Sequence, residues 1–529
     1  MALFLLLVHA CGAGGSSALQ FVVPPAGSVI DAPLRLAVVG SGIAHATFDV
    51  DGTVVGEVSA PPFEWMLDPL DYSGSHVVTI VAARDDGDHA MSVTLNFAGV
   101  VFLTPADGAV VTKPTSLAAD GATITSVEFK LDGATMLLDT SAPFSWVLDP
   151  AAVADGSHDV SIEAFLGNGS RTHALTLRTV KPATDPPPPA DVLTAIQNLK
   201  PGEWYEIPDT KLRDVAMSPS PGGTISGIMS AWSSGAYDTK RDRLIIWGGG
   251  HGDYGGNELY VFSMKSFRWT RLNDPTLFPP GEEDNPQDKT SHPDGSPVAR
   301  HSYDYIQYIP SVDKFFVGGG GGIWLSGQFG DDMTYLFDLD TLSWTQHGVC
   351  PSAGISTSAL GPDGRVWMHG SAGSGAVLSA FDAKTSVWTR YAEYNSWIGY
   401  ARSAVIDPVE NKYVLVGDGQ VRIWDLSDPY AQHVVAKTTG DVPQGEFDYP
   451  GLAFDPVTKR IVAWAGGATV YSLDVATLAW TAHATKGVNT TPPAAARNGT
   501  HGRWRYVPSL GVIVNVNDVD ENVFVYRHS

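Results

Sequence analysis

The sequence predicts an all-β chain, with two tandem sandwich modules followed by a ring of six four-stranded units. Three observations predict it. Short alternating runs bounded by Gly, Asp and Pro dominate over stretches with a 3.6-residue apolar period. A segment near the N-terminus recurs at an offset of 81 residues. Beyond residue 201, hairpins and Trp-bearing strands return about every 45 residues, the length of a four-stranded propeller blade.

The chain has 529 residues, enough for about three or four domains. Its formal charge of −24 excludes nucleic acid as an expected partner, because phosphate binding needs a basic footprint. Two cysteines, Cys11 and Cys350, are too few for a disulfide framework. Residues 1–19 open with MALFLLLVHAC and a Gly/Ser tether. They resemble a bacterial lipoprotein signal with Cys11 as the acylated residue, although no Lys or Arg precedes the apolar run. The expected location is therefore outside the cell, surface-anchored or secreted, with membrane attachment only through a lipid on Cys11.

Residues 46–76 and 127–158 are two copies of one pattern. Phe48 matches Phe129, Asp51-Gly52 matches Asp132-Gly133, Trp65 matches Trp146, and Gly-Ser-His76 matches Gly-Ser-His158. Each copy reads as strand, Asp-Gly hairpin turn, strand and aromatic strand, the spacing of a sandwich of about 80 residues. The pair resembles bacterial Ig-like domains, over residues 20–98 and 99–180, which implies spacers or carbohydrate-binding units. His76 and His158 read as turn residues rather than ligands. Residues 181–200 are expected to be a Pro-rich linker, of which residues 181–190, KPATDPPPPA, should be extended and fairly stiff.

Residues 201–529 carry six hairpins, such as YDTKRDRLIIWGGG and FDPVTKRIVAWAGG, and outer strands ending in Trp269, Trp344, Trp388 and Trp480. The last unit lacks its outer strand, and GEWYEIPDT with Trp204 is expected to supply it from the start of the domain, giving six blades, with seven as the alternative. The strand-ending glycines and the blade-end aromatic resemble kelch repeats and the central propeller of galactose oxidase-like proteins.

Alternating strand directions send the loops between strands two and three, and the connections between units, to one face. These segments hold His251, Asp253, Tyr254 and Asn257, then Arg300, His301 and Tyr303, then Tyr400 and Arg402, Asp448 and Tyr449, and Asn498, His501, Arg503 and Arg505. The long polar segment 275–299 is expected on the same face as a rim. The glycine run 318–322 is not a phosphate loop, because no helix and no Lys-Ser/Thr pair follow.

Three functions follow as expectations, each with carbohydrate or protein partners and a monomeric state. A lyase of uronic-acid polysaccharide would draw its base and acid from His251, His301, His501, Tyr254 and Tyr449, and hold substrate with Arg300, Tyr400, Arg402, Asn498 and Arg503. A copper radical oxidase is implied by the galactose oxidase resemblance, with those His and Tyr residues as ligands and Cys350 as the cross-linking thiol. Copper or another divalent cation enters only there, since no metal motif is present. The third function is non-catalytic glycan or protein binding.

Overall fold

In both N-terminal copies the hairpin turn follows from local chemistry. Asp51 and Gly52 have φ of 52° and 80°, and Asp132 and Gly133 have φ of 49° and 80°. Two consecutive left-handed residues make the primed turn that matches strand twist, and Asp-Gly tolerates it best. The computed structural model describes residues 7–11, 19–30, 33–69, 72–98, 101–120, 124–166, 169–180, 185–278, 290–324, 333–352, 354, 355–370, 376–394, 401–444, 447–486, 495 and 498–529. The chain divides into two units, Met1–Ala183 and Thr184–Ser529.

The first unit contains both sandwich copies. In each, a five-stranded sheet has the same order: Val29–Ile30, Gly87–Ala98, Ser73–Arg84, Ile43–Val50, Thr53–Val58 in the first, and Val110–Val111, Gly169–Thr179, Gly156–Leu166, Ile124–Leu131, Ala134–Asp139 in the second. A smaller sheet covers each, and Phe48, Ile80 and Leu95 in one copy, Phe129, Ile162 and Leu177 in the other, are fully buried between the layers. Inward residues alternate with outward ones along Ile43–Val50 and Ile124–Leu131, as the period of two requires. Leu7–Cys11, read from sequence as leader, pairs antiparallel with Leu19–Val23 in the smaller sheet of the first copy.

The second unit contains six sheets among the described residues: five have four antiparallel strands, and the fifth in chain order adds to its four a short parallel strand, Thr439–Gly440. In chain order their first strands are Ser234–Asp238, Ile306–Ile309, Ser356–Leu360, Arg402–Asp407, Gly451–Asp455 and Trp504–Val507. Each first strand contacts the next, and the sixth contacts the first. Trp204–Ile207 pairs with Val523–Tyr526 and completes the sixth sheet, as the sequence leads one to expect. The outer tryptophans join neighbouring sheets: Trp344 packs on Trp247, Trp388 on Phe316, and Trp204 on Trp464. The fourth sheet differs, because its outer strand is only Val434–Val435 and carries no Trp.

The linker expectation is corrected in its second half: Ala190–Gln197 is an α-helix. Val192 and Ile196, one turn apart on one face, are buried in the core of the second unit with Leu199. The upstream Asp185 accepts hydrogen bonds from Ser263 and Ser266. An apolar stripe that can be buried outweighs the preceding proline run.

Candidate functional site

Six aromatic or imidazole residues in the second unit share an uncommon backbone conformation; one is Phe267, and the other five come together. Trp232, His251, Tyr303, Tyr449 and His501 have φ of 48°, 42°, 38°, 46° and 49°. Left-handed φ at a bulky residue costs of order 1 kcal/mol and persists where surrounding structure imposes it. Tyr303 is held there by its N–H donating to Trp232 O (2.6 Å), and the His501 and Thr500 N–H groups donate to Tyr449 O.

These residues meet side to side. Ring centroids are 5.7 Å apart for His251 and His301, 5.8 Å for His301 and Tyr303, 6.4 Å for Tyr303 and His501, and 5.2 Å for His501 and Tyr449. Trp232 lies 4.8 Å from the His301 ring. Residues from the entries of the first, second, fifth and sixth sheets thus join the loop after strand two of the first. His251 is exposed, Trp232 and Tyr449 are half-buried, and His301, Tyr303 and His501 are buried. Gly322, the last of the glycine run, lies against the His301 ring, where a Cβ would overlap the imidazole.

His301 connects a carboxylate to a phenol. Its Nε2 donates to Asp253 Oδ2 (3.3 Å), and its Nδ1 stands 3.5 Å from the Tyr303 hydroxyl, which donates to it. Burial holds His301 below the ordinary histidine range despite the pull of Asp253. His501 is pushed down to about 3 by burial and then by Arg503, so both rings are neutral near pH 7. Ser403 Oγ lies 3.3 Å from His501 Nδ1. Beneath them Asp304 accepts from Ala404 N (2.7 Å) and is pushed up to about 7 by burial, with Arg505 pulling the other way.

Several expected site residues do other work. The Tyr254 hydroxyl donates to Glu258 within the core of the first sheet and is not an acid facing the cluster. Arg300 donates to Val298 O (2.9 Å) and Thr290 O (2.5 Å), fixing the segment that leads into the second sheet. Arg503 is fully buried and donates to the carbonyls of Ser233, Val516, Asn517 and Gly499. The Asn498 amide braces Ser230 O (2.7 Å). Arginine at a loop suggests a ligand contact from sequence, yet five donors in a fork serve equally well to tie off buried carbonyls. Arg402 is buried with its guanidinium 3.4 Å from Ile355 O. Tyr400 and residues 279–289 of segment 275–299 lie outside the described residues, as does the Cys11 side chain. Asp253 and Tyr303 were placed on this face by the sequence but given no role, and Trp232 is the participant that the sequence did not single out.

The copper ligand set does not fit. The Tyr303 ring stands between His301 and His501, and Cys350 is packed in the apolar core with Val366, Met368 and Phe381. Among the described residues no three His, Cys, Asp or Glu side chains are placed to share a metal ion.

Residues 99–162 match the family model of the bacterial Ig domain. The first copy, with its identical strand order, shares that architecture. No curated relative matches the chain. Among solved structures, the fibronectin(III)-like modules of Clostridium thermocellum CbhA share 15% identity over 31% of this chain and 95% of theirs, with a TM-score of 0.14. An auxiliary nutrient binding protein from Bacteroides thetaiotaomicron shares 10% identity over 80% of this chain and 97% of its own, with a TM-score of 0.38. An endo-β-1,4-mannanase from Thermotoga petrophila shares 16% identity over 16% of this chain and 19% of its own, with a TM-score of 0.14. At these scores none bears on function. No helix among the described residues is long and apolar enough to cross a membrane.

Proposed function

We propose that this chain is an exported carbohydrate-binding protein whose six sheets close into a kelch-like six-bladed β-propeller with its sugar site at one mouth. The two Ig-like modules act as a spacer, and a lipid on Cys11 is the anchor. Closure is supported by contact of the sixth first-strand with the first, where Gly502 N donates to Ser234 Oγ and Arg505 donates to Gly235 O.

The observation that carries the sugar reading is the contiguous run His251–His301–Tyr303–His501–Tyr449 with Trp232 beside it. Aromatic faces stack on the C–H faces of a pyranose, and neutral imidazoles exchange hydrogen bonds with hydroxyls without a fixed charge. Glycan-array binding followed by titration calorimetry tests this. His251→Ala, at an exposed ring, is expected to weaken binding about tenfold, or about 1.4 kcal/mol, with an unchanged melting temperature. Unchanged affinity in both His251→Ala and Trp232→Ala would overturn the reading.

A second reading, catalysis by β-elimination, is favoured by the Asp253–His301–Tyr303 chain. The Tyr303 oxygen would take the proton next to the sugar carboxyl as its own proton passes to His301 Nδ1, with Asp253 orienting the ring; the freed electron pair forms the C=C bond and breaks the bond to the glycosidic oxygen, which leaves with a proton from water. Appearance of ultraviolet-absorbing unsaturated chain ends, lost in Tyr303→Phe, is the expected sign; binding without such ends leaves the non-catalytic reading.

A further inference from the structure

The segment that enters the second sheet is tied to three other sheets. Ser302 Oγ donates to Trp247 O (2.9 Å) and accepts from Ser234 N (2.8 Å), both in the first sheet. Asp304 O accepts from Ser358 N and Ser358 Oγ of the third sheet, each at 2.7 Å. The Asp304 carboxyl reaches the fourth sheet, where its Oδ2 accepts from Ala404 N (2.7 Å). Both ends of that bond adjoin the mouth. Tyr303 precedes Asp304, and its ring lies 6.4 Å from the His501 ring. Ser403 precedes Ala404, and its Oγ lies 3.3 Å from His501 Nδ1. One carboxyl therefore fastens the Tyr303 side of the cluster to the strand beside His501.

Asp304 is 2% exposed, and Ala404 N is the only donor to its carboxyl among the described residues. A buried carboxylate with one donor is poorly compensated, and burial pushes Asp304 up to about 7, with Arg505 and then the Ala404 amide pulling down. The charged or titratable groups acting on it from other sheets are Arg505, on the first strand of the sixth, and Tyr413, on the second strand of the fourth; His301 and Tyr303 share its own segment. Tyr413 is pushed above the ordinary tyrosine range, mainly by burial, and burial holds His301 and His501 below the ordinary histidine range. From about pH 6.5 to 8.5 the main change of charge beneath the mouth is thus that of Asp304.

We infer that Asp304 is a positioning residue of the sugar mouth, whose carboxyl sets the spacing of Tyr303 and His501 through the Ala404 amide and tightens the mouth when it ionises. The inference rests on reading the mouth as a sugar site and gives that site a proton-dependent affinity. An ionised acceptor makes a shorter and stronger bond to an N–H than a neutral acid does, so the two sides are held most firmly once the proton has left. A sugar that needs both rings in place gains from that preorganisation, and by linkage its binding drives the proton off.

Two measurements on the full chain test it. In the first, the ring signals of Tyr303 and His501 are followed by NMR without ligand. They are expected to move together between about pH 6.5 and 8.5 with a midpoint near 7. In the second, calorimetry measures the neutral oligosaccharide that binds tightest on the glycan array. Its affinity is expected to rise about threefold over the same range. Asp304→Asn keeps an oxygen for the Ala404 amide but cannot ionise, so it is expected to bind with the weaker, low-pH affinity at both ends of the range. Ring signals that stay still, a flat affinity profile in the unmodified chain, or the same rise in Asp304→Asn overturns the assignment. If that variant does not fold, the two profiles of the unmodified chain decide. Absence of sugar binding at every pH overturns instead the sugar reading of the mouth, and the ring signals still decide whether Asp304 braces it.

Discussion

His158 in the second sandwich and His301 in the six-sheet unit both face an aspartate, yet they hold opposite charge states. His158 Nδ1 lies 2.7 Å from Asp132 Oδ2 and its Nε2 lies 2.9 Å from Ala154 O. Both partners can only accept, so both nitrogens must carry hydrogen, and the ring is raised above its ordinary range by Ala154 first and Asp132 next. His301 faces one carboxylate at 3.3 Å and a hydroxyl that can donate, a combination that a neutral ring satisfies. Burial then decides in favour of the neutral form. An aspartate beside a histidine therefore does not set its charge; the second nitrogen's partner and the depth of burial do.

The sharpest way to break this contrast is acid. In the six-sheet unit His501 is pushed down to about 3, and His292 and His528 to about 4, each mainly by burial. Above pH 6.5 these rings are neutral in both folded and unfolded chains and contribute nothing to pH dependence. As pH falls from 6.5 to 4 the unfolded chain takes up protons that the fold refuses, and each ring costs about 1.4 kcal/mol per pH unit. Asp304, pushed up to about 7, moves the other way and offsets only part of this loss. Urea unfolding followed by tryptophan fluorescence should show the loss in this unit, because only Trp65 and Trp146 of 15 tryptophans lie outside it. A flat profile over that range breaks the comparison.

The sandwich side has the opposite sign. The His158 contribution is full below pH 6.5 and is lost as pH rises through its raised folded value. His158→Ala is expected to cost the sandwich about 2 kcal/mol at pH 6, from two hydrogen bonds to a charged ring, and distinctly less at pH 9. Calorimetric scans of both proteins at the two pH values measure it; an equal cost at both would mean that the ring is not charged.

The smallest effect sharpens the contrast. Asp253→Asn removes the one charge that draws His301 upward, so its titration is expected to move further down while the fold is unchanged. Imidazole nitrogen shifts followed by NMR report this directly. An upward move would show that Asp253 does not control the ring.

Much of this architecture is legible in the sequence because its signals are local. Asp-Gly turns, period-two strands and outer-strand tryptophans act over a few residues, and both sandwich copies and the Trp204 strand follow from them. What stayed hidden depends on distant partners. The outer strand Val434–Val435 has no aromatic mark, and the helix Ala190–Gln197 follows a proline run that masks it. The convergence of His251, His301, His501 and Tyr449 was readable from strand direction. The destinations of the Arg300 and Arg503 guanidiniums were not, because carbonyls from remote turns carry no sequence signature.

The pairing of Trp204–Ile207 with Val523–Tyr526 has a consequence for how the molecule is made. The sixth sheet needs one strand from the start of the unit and three from its far end. Until Val523–Tyr526 is made, Trp204–Ile207 has no strand to pair with, and a chain cut before it leaves a bare strand edge open to association with other chains. Folding of this sheet therefore waits on distant segments of the chain, and truncations that remove Val523–Tyr526 should surface as aggregation during production rather than as a milder, merely weakened protein.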